Sequence, residues 1–175
     1  MSISMKRRTL LGMGIASAAG TAISCGRSSP GDSWRLLTAA EARTLEAVCA
    51  QLIPSDQDAG AREAGVVTYI DNQLSGRFKR HRAAYRQGLA GIDEASRARF
   101  AKSFAELDSA GQVEILKVTE EKARAFVDLL LNHTRQGFYG DPRHGGNRNR
   151  ASWRMLRLPF PQVRGRQHYD QSRSE

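Results

Sequence analysis

The apolar positions along the middle of the chain recur every three or four residues, which is the spacing of amphipathic helices. Thr38 and Glu41 form a capping-box pattern at the start of the first segment of this kind, and Pro54 ends it. Further segments with this spacing occupy about residues 63–74, 77–102, 110–118 and 121–133. No segment shows the strict alternation of a half-buried strand. The pattern therefore predicts an all-α fold, a small bundle of about five helices.

The pattern changes after His133. Residues 136–147 hold four glycines, one proline and the adjacent aromatics Phe138 and Tyr139. Glycine and proline both disfavour a regular helix, so the bundle is expected to continue into an irregular segment rich in Gly, Arg and aromatic residues. The predicted organisation is a signal over residues 1–24, a linker over 25–36, a helical domain over 37–140 and an extended C-terminal docking segment over 141–175.

The net charge of +9 over 175 residues is confined to the two ends of the chain. Residues 1–24 carry three basic and no acidic side chains, whereas residues 133–175 carry nine arginines against three acidic residues. The stretch between residues 28 and 132 is close to neutral. A basic excess reports on partners only where it lies on the mature folded protein, so the value of +9 by itself does not indicate a nucleic-acid binder.

The N-terminus has the layout of an export signal. Lys6, Arg7 and Arg8 precede Leu10 and Leu11, and an uncharged stretch rich in Gly, Ala and Ser follows. The adjacent arginines followed by leucines resemble a twin-arginine signal, a route that carries proteins already folded. The partner expected on this route is the twin-arginine translocase, and the expected location is the periplasm.

The two cysteines, Cys25 and Cys49, are too few for a disulfide scaffold or a cysteine-held cluster. Residues 22–25 resemble a bacterial lipobox, which makes Cys25 a candidate for lipidation and for membrane anchoring. The small residues Ala16 and Ala18 offer a competing cleavage site. If Cys25 is lipidated, Cys49 is expected to pack in the core. If Cys25 is not lipidated, a Cys25–Cys49 disulfide is the alternative.

The composition of the C-terminal segment is that of a binding surface. Arginines alternate there with Phe138, Tyr139, Trp153, Phe160 and Tyr169. Arginine and aromatic residues dominate the hot spots of protein interfaces and also line nucleic-acid sites. The export signal disfavours nucleic acid, and a third alternative places the basic tail on anionic lipid headgroups.

The sequence resembles gluconate 2-dehydrogenase subunit 3, the small subunit of periplasmic dehydrogenase complexes. An early helix that begins at Leu37-Thr38 and ends at Ile53-Pro54 is one part of the resemblance. A motif toward the C-terminus is the more specific part, and it comprises Thr134, Gly137, Phe138, Tyr139, Asp141, Pro142, His144, Gly145, Gly146, Asn147 and Trp153. The chain departs from the family at Ser152, where relatives tend to have Gly before the Trp.

The resemblance implies a non-catalytic accessory subunit that supports folding, export or stability of a flavoprotein of the glucose–methanol–choline type. It further implies that FAD lies in that flavoprotein, that haem c lies in a multihaem cytochrome partner, and that this chain binds no cofactor or metal. The expected partner-binding residues are Phe138, Tyr139, Asp141, Pro142, His144, Gly145, Gly146, Asn147 and Trp153. Within this set, Asp141 is expected to organise a turn, and Gly145 and Gly146 to allow close approach of a partner.

Catalysis by the chain itself has weak support in the sequence. His133, Asp141 and His144 are the best metal or acid–base trio that it offers. A histidine at a helix end more often caps or packs, so these residues are not assigned to a catalytic site.

Overall fold

The structure is a computed structural model, and it describes residues 34–158. In this range it contains five α-helices and no strand. The helices are α1 (Ala39–Leu52), α2 (Val66–Ser75), α3 (Arg82–Phe100), α4 (Ser109–Tyr139) and α5 (Ala151–Met155). The prediction of a small all-α bundle is confirmed.

Helix α1 begins as the sequence predicts. The Thr38 hydroxyl accepts a hydrogen bond from the Glu41 amide, and the Glu41 carboxylate accepts one from the Thr38 amide. These two bonds satisfy amide donors that have no partner within the helix. Leu45, Val48 and Cys49 on the inner face of α1 are fully buried.

Helix α2 begins three residues later than predicted. Gly65 precedes it with φ of 67°, a left-handed conformation that is readily accessible to glycine. The Arg148 side chain packs so closely on Gly65 that a Cβ atom there would overlap the guanidinium group. A contact between residues so distant in sequence cannot be read from helical periodicity.

The two helices predicted over residues 110–133 form one long element, α4, of 31 residues. Its backbone leaves helical geometry at Ala123, with φ of −141° and ψ of 48°, close to the predicted boundary. The side chain of Asp108 caps the N-terminus by accepting from the Gly111 amide at 2.9 Å. Because α1, α2, α3 and α5 all pack against α4, this helix is the centre of the bundle.

Candidate functional site

Residues 141–158, called the C-terminal segment below, fold back onto the bundle. Two 3-10 turns, Pro142–His144 and Arg148–Arg150, lead into the short helix α5. The expected extended conformation is therefore not found in this part of the chain. Helix α4 also continues through Gly137 and Phe138 to Tyr139, where the sequence predicted irregular backbone.

Asn147 connects the residue that follows α4 with the start of α5. Its side-chain amide donates to the Gly140 carbonyl at 2.9 Å, and its side-chain oxygen accepts from the Ser152 amide at 3.0 Å. Asn147 and Ser152 are both 0% exposed, so the Ser152 amide has no access to water as an alternative partner. Asn147 therefore holds the end of α4 to the start of α5.

The glycines of the motif allow backbone contacts within the chain. A Cβ atom on Gly146 would overlap the Gly137 carbonyl, and one on Gly137 would come within 2.9 Å of the Tyr69 ring. Gly145 has φ of 99°, and a Cβ atom there would meet the Asn72 side chain. These close approaches serve packing against α2 and α4.

The aromatic residues of the motif divide into a buried and an exposed group. Phe138 is 1% exposed and meets the Tyr139 ring edge to face, with centroids 4.9 Å apart. The Trp153 indole donates to the Tyr139 carbonyl at 3.1 Å, which secures α5 to the end of α4. Of the three, only Tyr139 is well exposed, at 45%.

Asp141 and Arg143 form a local pair in the first 3-10 turn. The Asp141 carboxylate accepts from the Arg143 amide at 2.9 Å and from the guanidinium group at 2.8 and 3.0 Å. These bonds hold the pKa of Asp141 below its usual value. The carboxylate therefore organises the turn of its own chain.

The structure thus gives most of the predicted partner-binding residues an internal role. Phe138, Gly146 and Asn147 are buried, and Asp141, Pro142, Gly145 and Trp153 are only partly accessible. Tyr139 and His144 remain exposed. Partner binding by this set stays a prediction, and Tyr139 and His144 are its most exposed members.

Two exposed leucines were missed by the sequence reasoning. Leu156 is 49% exposed and Leu158 is 47% exposed, directly after α5. Tyr139, Arg154, Leu156, Arg157 and Leu158 are called the exposed C-terminal surface below. Large apolar side chains beside arginines are typical of the core and rim of a protein interface. The signal in the sequence was the placement of the two leucines on either side of Arg157, outside any helical stripe.

Burial favours the neutral form of His133 and of Cys49 inside the bundle. His133 is 4% exposed, its Nδ1 lies 2.9 Å from the Tyr85 hydroxyl, and its ring stacks on Phe78 at 3.9 Å. Burial, with the nearby charges of His81 and Arg80, lowers the pKa of His133 to about 4. His133 is therefore a neutral packing residue near pH 7.

Cys49 belongs to the same interior. Burial raises the pKa of its thiol to about 12, and the thiol lies 3.4 Å from the Thr134 hydroxyl. A thiol with this pKa is a poor nucleophile at neutral pH. Between residues 34 and 158 no group of three or more His, Cys, Asp or Glu side chains is placed to hold a metal ion.

Arg7, Arg8 and Cys25 lie outside the described residues, as do Phe160 and Tyr169. Among residues 34–158, no helix is both long enough and apolar enough to span a membrane.

The fold and the site define a class of protein: a small helical bundle whose C-terminal motif is fastened to its central helix and presents a mixed apolar and basic surface. The family model of gluconate 2-dehydrogenase subunit 3 matches residues 39–159, and the chain belongs to this family. No curated protein and no solved structure matches the chain.

Proposed function

We propose that this chain is a non-catalytic accessory subunit of a membrane-associated, periplasmic dehydrogenase complex with an FAD-dependent flavoprotein subunit. In this proposal the chain aids the folding, twin-arginine export and stability of that flavoprotein, which oxidises a sugar, polyol or sugar acid. The membership in a gluconate 2-dehydrogenase subunit family is the observation that carries the proposal.

The exposed C-terminal surface supports a binding role. Tyr139, Leu156 and Leu158 are three of the four large hydrophobic side chains that are exposed in residues 34–158. All three lie at or after the C-terminal end of α4, and Arg154 and Arg157 lie between and beside the two leucines. We place the flavoprotein on this surface, with the aromatic and apolar side chains as anchors.

The proposed distribution of cofactors is the one that the family resemblance implies, with FAD in the flavoprotein and haem c in a multihaem cytochrome partner. The sequence agrees with this distribution, because it contains no Cys-x-x-Cys-His haem attachment motif and no glycine-rich nucleotide-binding motif. This chain contributes a scaffold for its partners.

The export role is tested by co-expressing the chain with a flavoprotein subunit from the same organism. Replacing Arg7 and Arg8 by lysine is expected to retain both proteins in the cytoplasm, because the flavoprotein would travel on this signal. The control is the Lys6→Arg variant, which keeps the arginine pair and is expected to export both. A flavoprotein that reaches the periplasm without Arg7 and Arg8 would show that the export role is wrong.

A further inference from the structure

Basic residues from two distant parts of the sequence lie beside α2 and directly after it. Positions 65, 68, 72 and 76 follow one another at helical spacing along one stripe. The Arg148 guanidinium group contacts Gly65 and donates to the Thr68 hydroxyl at 2.6 Å. The Asn72 side chain donates to the His144 carbonyl at 3.4 Å. Arg148 and His144 therefore lie over the first two turns of this stripe.

A second basic group begins where the stripe ends. Gly76 follows α2, and Arg77, Lys79 and Arg80 come immediately after it. All three side chains are exposed, whereas Phe78 between them is buried against His133 and Tyr69. Arg148 and His144, over the first turns of α2, and Arg77, Lys79 and Arg80, directly after its last turn, are together called the basic band below. The stripe from Gly65 to Gly76 spans about 17 Å at the rise of an α-helix.

Among residues 34–158, the four arginine and lysine residues of this band have no carboxylate partner nearby, whereas His144 lies close to the Asp141 carboxylate. Residues 76–92 contain no acidic side chain. Within the described part of the chain, Arg77, Lys79, Arg80 and Arg148 take no part in any ion pair. The one carboxylate of α2, Asp71, is 3% exposed and faces inward.

Asp71 also shows where the N-terminal part of the chain joins the bundle. Its carboxylate accepts from the amides of Arg35, Leu36 and Leu37 at 2.6 to 3.0 Å. The chain therefore enters the domain against α2, the helix beside the basic band. Eight residues lie between Cys25 and Trp34, so the two are at most about 30 Å apart along the extended chain.

We propose that the basic band is a docking surface for the anionic phospholipid headgroups of a bilayer. An anionic membrane surface attracts basic residues through their charge alone. Each Lys or Arg close to the surface increases the binding constant about fivefold. A protein interface also needs apolar anchors at its centre. In residues 34–158 the exposed large hydrophobic side chains are Val113, Tyr139, Leu156 and Leu158, and none belongs to the band.

This inference is separate from the proposed binding of a flavoprotein, which uses the exposed C-terminal surface. The two surfaces share no residue. Either assignment can fail without the other.

The test measures binding of the full chain to vesicles of phosphatidylcholine with 30% phosphatidylglycerol, by flotation at 50 mM and 500 mM NaCl. Pure phosphatidylcholine vesicles report any binding that does not depend on headgroup charge. The band variant replaces Arg77, Lys79 and Arg80 by glutamine. The control variant replaces Arg43, Lys117 and Lys122 by glutamine, three exposed residues outside the band, so that both variants lose the same charge.

The wild-type chain is expected to bind the anionic vesicles at 50 mM NaCl and to be released at 500 mM. The band variant should lose about two orders of magnitude in partition coefficient, and the control variant less than about fivefold. Equal binding by the band variant and the wild type would overturn the proposal. The proposal is equally wrong if the wild type does not prefer anionic vesicles, or if it binds only duplex DNA or an acidic protein. Circular dichroism of both variants checks that each is folded.

Discussion

Gly146 packs directly on the carbonyl group of Gly137, in the last turn of the long helix α4. Both glycines belong to the stretch in which the sequence predicted an irregular backbone, and the contact shows that this stretch closes the bundle. The segment after the motif is thereby held against α4, so that α5 and the leucines after it have a defined position. A surface that already has a defined position loses less conformational entropy when a partner binds.

The Gly146→Ala variant is expected to lower the free energy of unfolding by about 1–3 kcal/mol, because a Cβ atom would overlap backbone that cannot move aside. The matched control is Gly91→Ala in α3, where the added atom has nothing within 4 Å. That control should be neutral or stabilise by up to about 1 kcal/mol, since alanine favours a helix interior. Urea denaturation of both variants measures the difference. Equal effects would contradict the close packing at Gly146.

Asn147→Ala should cost about 2–4 kcal/mol, because the Gly140 carbonyl and the buried Ser152 amide would lose their partner. Asn149→Ala is the control. Asn149 also has a positive φ, 54°, a conformation that asparagine tolerates better than alanine, so both variants carry the same backbone cost. The two residues differ in that Asn149 is exposed. Chemical denaturation should place the Asn149 variant within about 1 kcal/mol of wild type. If the two variants are equally destabilised, the side chain of Asn147 has no special role.

Asp71→Asn is expected to weaken the attachment of residues 35–37 to the bundle. The asparagine keeps one acceptor oxygen and presents an amide group to backbone donors, so the free energy of unfolding should fall by about 2–3 kcal/mol. Hydrogen exchange at the amides of Arg35, Leu36 and Leu37 should accelerate selectively. The control is Asp128→Asn in an exposed ion pair with Arg124, which should change stability by less than about 1 kcal/mol.

His133 is expected to make stability depend on pH between about 6.5 and 4. The pKa of His133 is lowered to about 4 in the folded protein, so over this range the unfolded chain binds a proton that the folded chain does not. The free energy of unfolding should therefore fall by about 1–3 kcal/mol as pH decreases from 6.5 to 4, and this contribution should not change further below pH 4.

The measurement compares urea denaturation of the wild type and of His133→Gln at several pH values. The variant should lack the part of the pH dependence that lies above about pH 4.5. Glu63, Glu106 and Asp141 have lowered pKa values, so their contributions are lost only at more acidic pH and are common to both proteins. Parallel curves for the two proteins between pH 6.5 and 4.5 would contradict the assignment.

The helices could be predicted from the sequence because their determinants are local. The Thr38–Glu41 capping box and the Asp108 turn act over three residues, and the inner face of α1 follows its periodicity. The C-terminal motif could not be placed in the same way. Its conformation depends on contacts between residues far apart in sequence, such as Arg148 with Thr68 and Gly137 with Tyr69.

The candidate site could likewise be predicted only in part. Composition predicted a binding site in the stretch of glycines, arginines and aromatic residues after His133, and this stays a prediction. It could not separate Phe138, which is buried under the segment, from Tyr139, its exposed neighbour, because burial at a helix end depends on what packs there. Leu156 and Leu158 gave no periodic signal for the same reason.

The affinity of the chain for its flavoprotein subunit tests the central claim, that the exposed C-terminal surface binds this partner. The variant Tyr139→Ser/Leu156→Ser should weaken binding by about tenfold or more in isothermal titration calorimetry, because both side chains are proposed interface anchors. The control is Val113→Ser, another exposed apolar residue, near the opposite end of α4, which should bind as the wild type does. Wild-type affinity in the Tyr139/Leu156 variant would contradict the account.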